Sequence, residues 1–84
     1  MKITFKLFAS LTDYLPPEAR RANQLELEYS EAPTVNQVIE RFSLPPKLVH
    51  LVLINGAYVQ PEARASRTLN DGEALAIWPP IAGG

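Results

Sequence analysis

The chain has 84 residues, of which 46% are hydrophobic and 20% charged, and nine acidic against eight basic side chains give a net charge of −1. A chain of this length forms one small domain that buries only about 60–65% of its unfolded surface, which leaves little room for an enclosed active site. The charge balance lacks the basic excess typical of nucleic-acid binding, and the absence of cysteine excludes disulfides, thiolate metal sites and thiol nucleophiles.

Two further absences limit the metal sites and the cellular location that we expect. A single His cannot build a metal site alone, so no metal is expected. No apolar run approaches the roughly 18 residues of a membrane span, and the alternating N-terminal residues do not resemble a secretory signal. We therefore expect a cytoplasmic protein that acts on neither membranes nor nucleic acid.

The first third of the chain predicts two strands with one buried face each. Apolar residues alternate with polar ones at Ile3, Phe5 and Leu7, and again at Leu25, Leu27 and Tyr29. Between the strands, Ser10 to Leu15 predicts a short helix with Ser10 as its N-cap, followed by a polar loop over residues 16–23. The two strands are expected to pair with each other.

A helix is predicted over residues 34–43. Thr34 and Gln37 have the spacing of a capping box, and apolar residues follow on one helical face at Val35, Val38, Ile39 and Phe42. Pro45 and Pro46 end any helix there. This helix is the main one that the sequence predicts.

The remaining strands are marked by turn residues. Asn55-Gly56 predicts a hairpin between strands at Leu51–Ile54 and Ala57–Gln60, and a turn at 70–72 precedes a last strand at Ala74–Trp78. The order β, β, α, β, β, β allows the first and last strands to lie parallel at the centre of one sheet. The fold class is therefore predicted as α+β: a ubiquitin-like β-grasp whose mixed sheet packs on one main helix.

The C-terminal segment reads Pro79-Pro80-Ile81-Ala82-Gly83-Gly84 and predicts a flexible tail, residues 79–84, on a domain of residues 1–78. The prolines favour an extended backbone, which directs the chain away from the sheet. Gly83 and Gly84 lack Cβ atoms, so the backbone can enter a narrow channel and the last carboxylate stays open to attack on a phosphate. The sequence has no phosphate-cradling glycine-rich loop, so a nucleotide-using partner would have to activate that carboxylate.

The chain resembles the MoaD and ThiS sulfur carriers, which are relatives of ubiquitin. The resemblance covers nearly the whole chain, and its specific motifs are Leu69-Asn70-Asp71-Gly72-Glu73 and the Pro-Pro-Ile-Ala-Gly-Gly tail. The insertion at residues 10–23 and the overall length look more like MoaD, the small subunit of molybdopterin synthase. The fold class is again that of the β-grasp.

The resemblance implies a carrier that is not itself an enzyme and binds no cofactor. Gly84 would be adenylated by a ubiquitin-activating-like enzyme of the MoeB or ThiF type, which uses ATP, and a sulfurtransferase would convert it to a thiocarboxylate. Gly83, with Ala82, Ile81, Pro80 and Pro79, would thread into a large subunit of the MoaE type, which takes the sulfur to make molybdopterin.

A partner surface is predicted from three aromatic residues. If Ile3, Phe5 and Leu7 face the helix, the side chain of Phe8 points to the opposite sheet face, as would those of Trp78 and Tyr58. Each aromatic side chain can bury about 150–250 Å², enough for three to anchor an interface of roughly 800 Å² per partner. The same positions in the family meet the activating enzyme and the large subunit.

Other readings stay open. The chain could carry sulfur for thiamine or thiolated nucleoside synthesis, modify proteins by joining Gly84 to a lysine, or be a ubiquitin-like binding module whose tail is never activated. Four arginines could pair with acidic surfaces of a partner, although they are interpreted first as solvated loop charges: Arg20, Arg21, Arg64 and Arg67.

Overall fold

The sheet begins with the strand pair that the alternating residues predict. The computed structural model describes residues 1–80. Strand β1 (Lys2–Leu7) pairs antiparallel with β2 (Gln24–Glu28), and Ile3 lies opposite Leu27 with both side chains buried. The predicted pairing of the first two strands is confirmed.

The connection between these strands is more helical than predicted. It contains a 3₁₀ helix (Ala9–Tyr14) and a single turn of α-helix, α1 (Pro17–Arg20). The prediction that Ser10 caps the first of these helices is wrong, because Phe8 occupies the cap position and makes no side-chain capping bond. The predicted loop at residues 16–23 is therefore partly helical. Pro17 suits the first position of α1 because the N–H that it lacks would have no acceptor within the helix.

The main helix, α2 (Val35–Arg41), begins as the capping box predicts. The Gln37 backbone N–H donates to Thr34 Oγ1 at 3.1 Å, and the Thr34 N–H donates to Gln37 Oε1 at 2.8 Å. Its inward face is fully or nearly buried, with the residues Val35, Val38 and Ile39. The capping box is confirmed, as is burial at three of the four predicted stripe positions. The helix ends at Arg41 and not at residue 43, and Phe42 is its half-buried C-cap.

The second hairpin joins β3 (Leu51–Ile54) to β4 (Ala57–Tyr58). Asn55 and Gly56 have φ of 49° and 84°, the left-handed conformation that this two-residue turn requires at both positions. The predicted hairpin is therefore confirmed, although β4 is shorter than expected.

The early end of β4 has a simple cause. The strand was expected to reach Gln60, but Pro61 begins a 3₁₀ turn (Pro61–Ala63) and, lacking an N–H, cannot continue the ladder. Val59 still donates its N–H to the Val52 carbonyl at 2.9 Å. The chain then leaves the sheet edge.

The last strand, β5 (Ala74–Trp78), completes a five-stranded sheet in the order β2-β1-β5-β3-β4. β5 runs parallel to β1 and antiparallel to β3. The long connection through α2 allows β1 and β5 to lie side by side and parallel. The α+β class and the ubiquitin-like β-grasp, a mixed sheet on one main helix, are confirmed.

The core lies between the sheet and α2, so the opposite face of the sheet has no layer over it in the described part of the chain. The largest fully buried side chains come from both layers and the connections: Ile3, Phe5, Leu7, Leu11, Leu15, Val35, Val38, Val52, Leu69, Leu75 and Ile77. Because side chains alternate along a strand, the neighbours of these residues form the uncovered outer face. The boundary predicted between residues 1–78 and 79–84 stays a prediction, because residues 81–84 lie outside the described part.

Candidate functional site

The predicted tail begins where β5 ends. The Trp78 carbonyl accepts a hydrogen bond from the His50 backbone N–H at 3.0 Å, so the last residue of β5 is held by the chain just before β3. Pro79 is half-buried and Pro80 is exposed. The other predicted tail residues, Ile81, Ala82, Gly83 and Gly84, lie outside the described residues, and their threading and chemical roles stay predictions.

Phe8 and Trp78 meet at the start of the tail because the neighbouring strands β1 and β5 run parallel, so their C-terminal ends lie side by side. Their rings stack with centroids 4.2 Å apart and an interplanar angle of 3°. The Phe8 N–H donates to the Ile77 carbonyl at 3.2 Å, which fixes the backbone beside the stack. Two of the three predicted interface aromatics are thus in direct contact at the start of the tail.

Tyr58 shares the outer face with this stack but lies two strands away from Trp78. It pairs with Leu53 on β3, whose neighbour on the same face, Leu51, pairs with Trp78. Tyr58 is 56% exposed and Leu51 36% exposed. The structure therefore places all three predicted aromatics on one face, with leucines between them.

We call the resulting surface the outer apolar patch. Its members come from the end of β1 and from β3, β4 and β5: Phe8, Leu51, Leu53, Tyr58, Ala76 and Trp78. The sequence reasoning missed the two leucines, although alternation in β3 gives the signal. Since Val52 and Ile54 are buried, Leu51 and Leu53 must face outward.

The other half of the outer face is charged. On β1 and β2, Lys2 lies opposite Glu28 and Thr4 opposite Glu26. Such cross-strand charge pairing is typical of a face in contact with water. The outer face is therefore divided into a solvated half and an apolar half, and the apolar half contains the start of the tail.

Arg64 lies in a different environment from the one that the sequence predicts. Its side chain is buried, and its interpretation as a solvated loop charge is wrong. Arg67 is also more than a solvated charge, since its Nη2 lies 3.2 Å from Glu73 Oε2. No periodic pattern covers residues 59–73, so the sequence held no signal for either environment.

Glu73 anchors the turn before β5. The Asn70 N–H donates to Glu73 Oε1 at 2.7 Å, and this bond, together with the Arg67 guanidinium, holds the pKa of Glu73 below its ordinary value of 4.5, against the opposing effect of partial burial. The neighbouring Asp71 accepts the Lys2 N–H at 2.7 Å. These acids stabilise a turn, as expected of the Asn-Asp-Gly motif.

The described residues offer little catalytic chemistry. A groove of about 610 Å³ lies beside the end of α2, lined mainly by apolar side chains with Glu40 and Arg64 as its ionisable groups. Within residues 1–80, no group of three His, Asp or Glu side chains is placed to hold a metal ion, and no helix there is long and apolar enough to cross a membrane. What this arrangement supports best is the binding of a partner protein through the outer apolar patch.

Solved structures with similar folds carry several different descriptions. ThiS from Geobacter metallireducens is 18% identical, with full coverage of both chains and a TM-score of 0.66. Small archaeal modifier protein 1 from H. volcanii is 19% identical, covering 95% of this chain and 98% of that one, with a TM-score of 0.65. Subunit 1 of the molybdopterin-converting factor from Helicobacter pylori, solved in complex with subunit 2, is 13% identical with full coverage of both chains and a TM-score of 0.60.

These likenesses confirm the predicted relation in fold to the ThiS and MoaD proteins, whereas the closer relation to MoaD stays a prediction. No curated protein sequence matches the chain. A family model described as Mut7-C ubiquitin matches residues 1–82, which include all five strands and both helices. The chain therefore belongs to the Mut7-C ubiquitin family.

Proposed function

We propose that the chain is a sulfur carrier whose Gly84 carboxylate is adenylated and then converted to a thiocarboxylate by partner enzymes. The observation that carries the proposal is the outer apolar patch at the start of a Pro-Pro-Ile-Ala-Gly-Gly segment. A partner that binds the patch would receive the tail at a fixed position. The solved neighbours in fold are themselves described as a modifier, a thiamine biosynthesis protein and a converting-factor subunit.

The patch has the composition of a protein interface. Aromatic residues supply large contact areas at low cost in side-chain entropy, and they dominate the binding energy of many interfaces. Phe8 and Trp78 are already stacked, so docking would not have to order them. The charged half of the outer face would form a polar rim on one side.

The proposed chemistry has three steps. An oxygen of the Gly84 carboxylate attacks the α-phosphorus of ATP on the activating enzyme, pyrophosphate leaves, and an acyl-adenylate forms. A persulfide on the sulfurtransferase then attacks the acyl carbon and AMP leaves. A second thiolate on the sulfurtransferase then attacks the cysteine sulfur of the resulting acyl disulfide, which forms a disulfide on the sulfurtransferase and releases the thiocarboxylate. Because these steps use ATP and thiols, we expect them in the cytoplasm.

For the sulfur acceptor we favour molybdopterin synthesis through a large subunit of the MoaE type. The insertion between β1 and β2 supports this choice, as does the fold neighbour that is solved with its second subunit. Thiamine synthesis, nucleoside thiolation and protein modification remain alternatives within the same chemistry.

Reconstitution tests the proposal. The chain is incubated with ATP, an activating enzyme of the MoeB or ThiF type and a persulfide-loaded sulfurtransferase, and its intact mass is measured. Exchange of one oxygen for sulfur at Gly84 supports the carrier. A covalent adduct to a lysine would instead identify a modifier, and an unchanged mass with all three enzyme types would reject activation of the tail.

A further inference from the structure

Arg64 is the one buried charged residue in the described part of the chain, at 7% exposure. Its Nη2 donates to the His50 carbonyl at 3.1 Å and its Nε to the Val59 carbonyl at 3.4 Å. Neither partner is a carboxylate, and the ion pair found within residues 1–80 belongs to Arg67 and Glu73. Burying a guanidinium costs free energy unless its N–H groups are hydrogen-bonded, and here two of them donate to backbone carbonyls.

The residue that Arg64 holds is the one that holds the start of the tail. His50 accepts the Arg64 hydrogen bond through its carbonyl and donates its own N–H to the Trp78 carbonyl at 3.0 Å. The imidazole takes no part, because both bonds are made by the backbone. A continuous path of two hydrogen bonds therefore runs from the buried guanidinium to the last residue of β5.

Arg20 provides an internal comparison. It also donates Nε to the carbonyl five residues earlier, Leu15, and Nη2 to a second carbonyl, that of Asp13, both at 3.0 Å. Arg20 is exposed, and its bonds stay within the connection between β1 and β2. An arginine can thus brace a loop through two carbonyls while its side chain stays exposed. Of the two arginines, the buried one, Arg64, is the one linked to the start of the tail.

We infer that Arg64 is a positioning residue that sets the direction in which the chain leaves β5 after Trp78. This inference rests on the proposed function, in which Gly84 is the reacting residue. Pro79 and Pro80 each fix φ at about −65°, so a change of direction at Trp78 is passed on through these two residues. A misplacement of about 1 Å at a reacting atom can cost about a hundredfold in rate.

Backbone hydrogen exchange tests the structural part directly. In Arg64→Met, the protection of the His50 amide should fall about tenfold more than that of the Thr4 amide, which donates to the Glu73 carbonyl where β5 begins. Arg64→Lys keeps a donor nitrogen and should give an intermediate change; it carries the test if the methionine variant does not fold. Arg20→Met should leave the His50 to Thr4 ratio unchanged. Equal loss at His50 and Thr4 would overturn the inference.

Kinetics of tail activation test the functional part. With the activating enzyme that adenylates the native chain, ATP–pyrophosphate exchange should show kcat reduced about tenfold or more in Arg64→Met, with KM little changed because the outer apolar patch is intact. Unchanged kcat in a folded Arg64→Met protein would overturn the inference while the proposed function stands. If the native chain is not adenylated at all, the proposed function fails, and the exchange ratio at His50 still decides whether Arg64 holds the start of the tail.

Discussion

Trp78 joins the folded sheet to the tail through two separate groups. Its carbonyl accepts the His50 N–H, and its ring stacks on Phe8. The ring remains half-exposed on the outer face, so it is available to a partner while its backbone is fixed. At the scale of single residues, Trp78 therefore belongs both to the fold and to the proposed interface.

Replacing this ring should separate the two roles. Trp78→Lys should weaken binding to the activating enzyme by about thirtyfold or more, as expected for a central aromatic anchor. The free energy of unfolding should fall by only about 1 kcal/mol, mostly from the lost stack. Titration calorimetry and urea unfolding measure the two effects. Glu26→Lys, on the charged half of the same face, is the matched control, and equal affinity for both variants would remove the patch from the interface.

Glu73 should make stability depend on pH. Its folded-state pKa lies below the ordinary value of 4.5, so its contribution is complete above that value and is lost as pH falls through the lowered pKa. Glu73→Gln should cost about 1 kcal/mol at pH 7, because a charge-assisted bond from Asn70 and the pairing with Arg67 are both weakened. Urea unfolding at a series of pH values should show the two proteins converging in acid. A constant difference at every pH would contradict the assignment.

The outward or buried position of a single residue could be predicted only where the sequence has the alternation of a strand. The outward positions of Phe8, Trp78 and Tyr58 follow from strand alternation, and the structure places them there. Arg64 and Arg67 lie in an aperiodic stretch, where burial is decided by contacts with distant segments. No local pattern could distinguish them from ordinary loop charges.

At the scale of elements, α2 is the clearest success of sequence reasoning and the 3₁₀ helix its clearest limit. The capping box and apolar stripe of α2 are local signals that the tertiary structure preserves. Leu11 and Leu15 are both buried, but a single pair of apolar residues cannot distinguish a 3₁₀ helix from an α-helical turn. Similarly, β4 ends earlier than predicted because Pro61 begins a 3₁₀ turn.

The N-cap of α2 should contribute measurably to the free energy of unfolding. Thr34→Ala removes the acceptor for the Gln37 N–H and should lower the free energy of unfolding by about 1 kcal/mol, because a helix of seven residues has few other sources of stability. Urea unfolding measures this loss. Thr34→Ser keeps the hydroxyl and should retain most of the stability. Equal losses in both variants would show that the lost methyl, and not the cap, is responsible.

At the scale of the whole molecule, the fold brings together a stiff sheet, an outer apolar patch and the start of the tail. The parallel pairing of β1 with β5 places Phe8 beside Trp78, and β3 adds the leucines that extend the patch. In the proposed function, partner enzymes perform the chemistry and this chain positions the tail.

Removing the reacting residue should spare the fold. Deletion of Gly84 should change Tm by less than about 2 °C, because the last residue of a domain generally adds little to its stability. Sulfur loading in the reconstituted system should be abolished. Calorimetry and intact mass measure the two effects, and a large fall in Tm would mean that the tail is structural.

The intact mass of the protein isolated from its native cells tests most directly whether the Gly84 carboxyl group carries sulfur. We expect a chain whose last residue is Gly84, with a fraction carrying one sulfur in place of one oxygen at that residue. A mature chain that continues past Gly84, or one whose terminal carboxyl is permanently blocked, would contradict the proposed function.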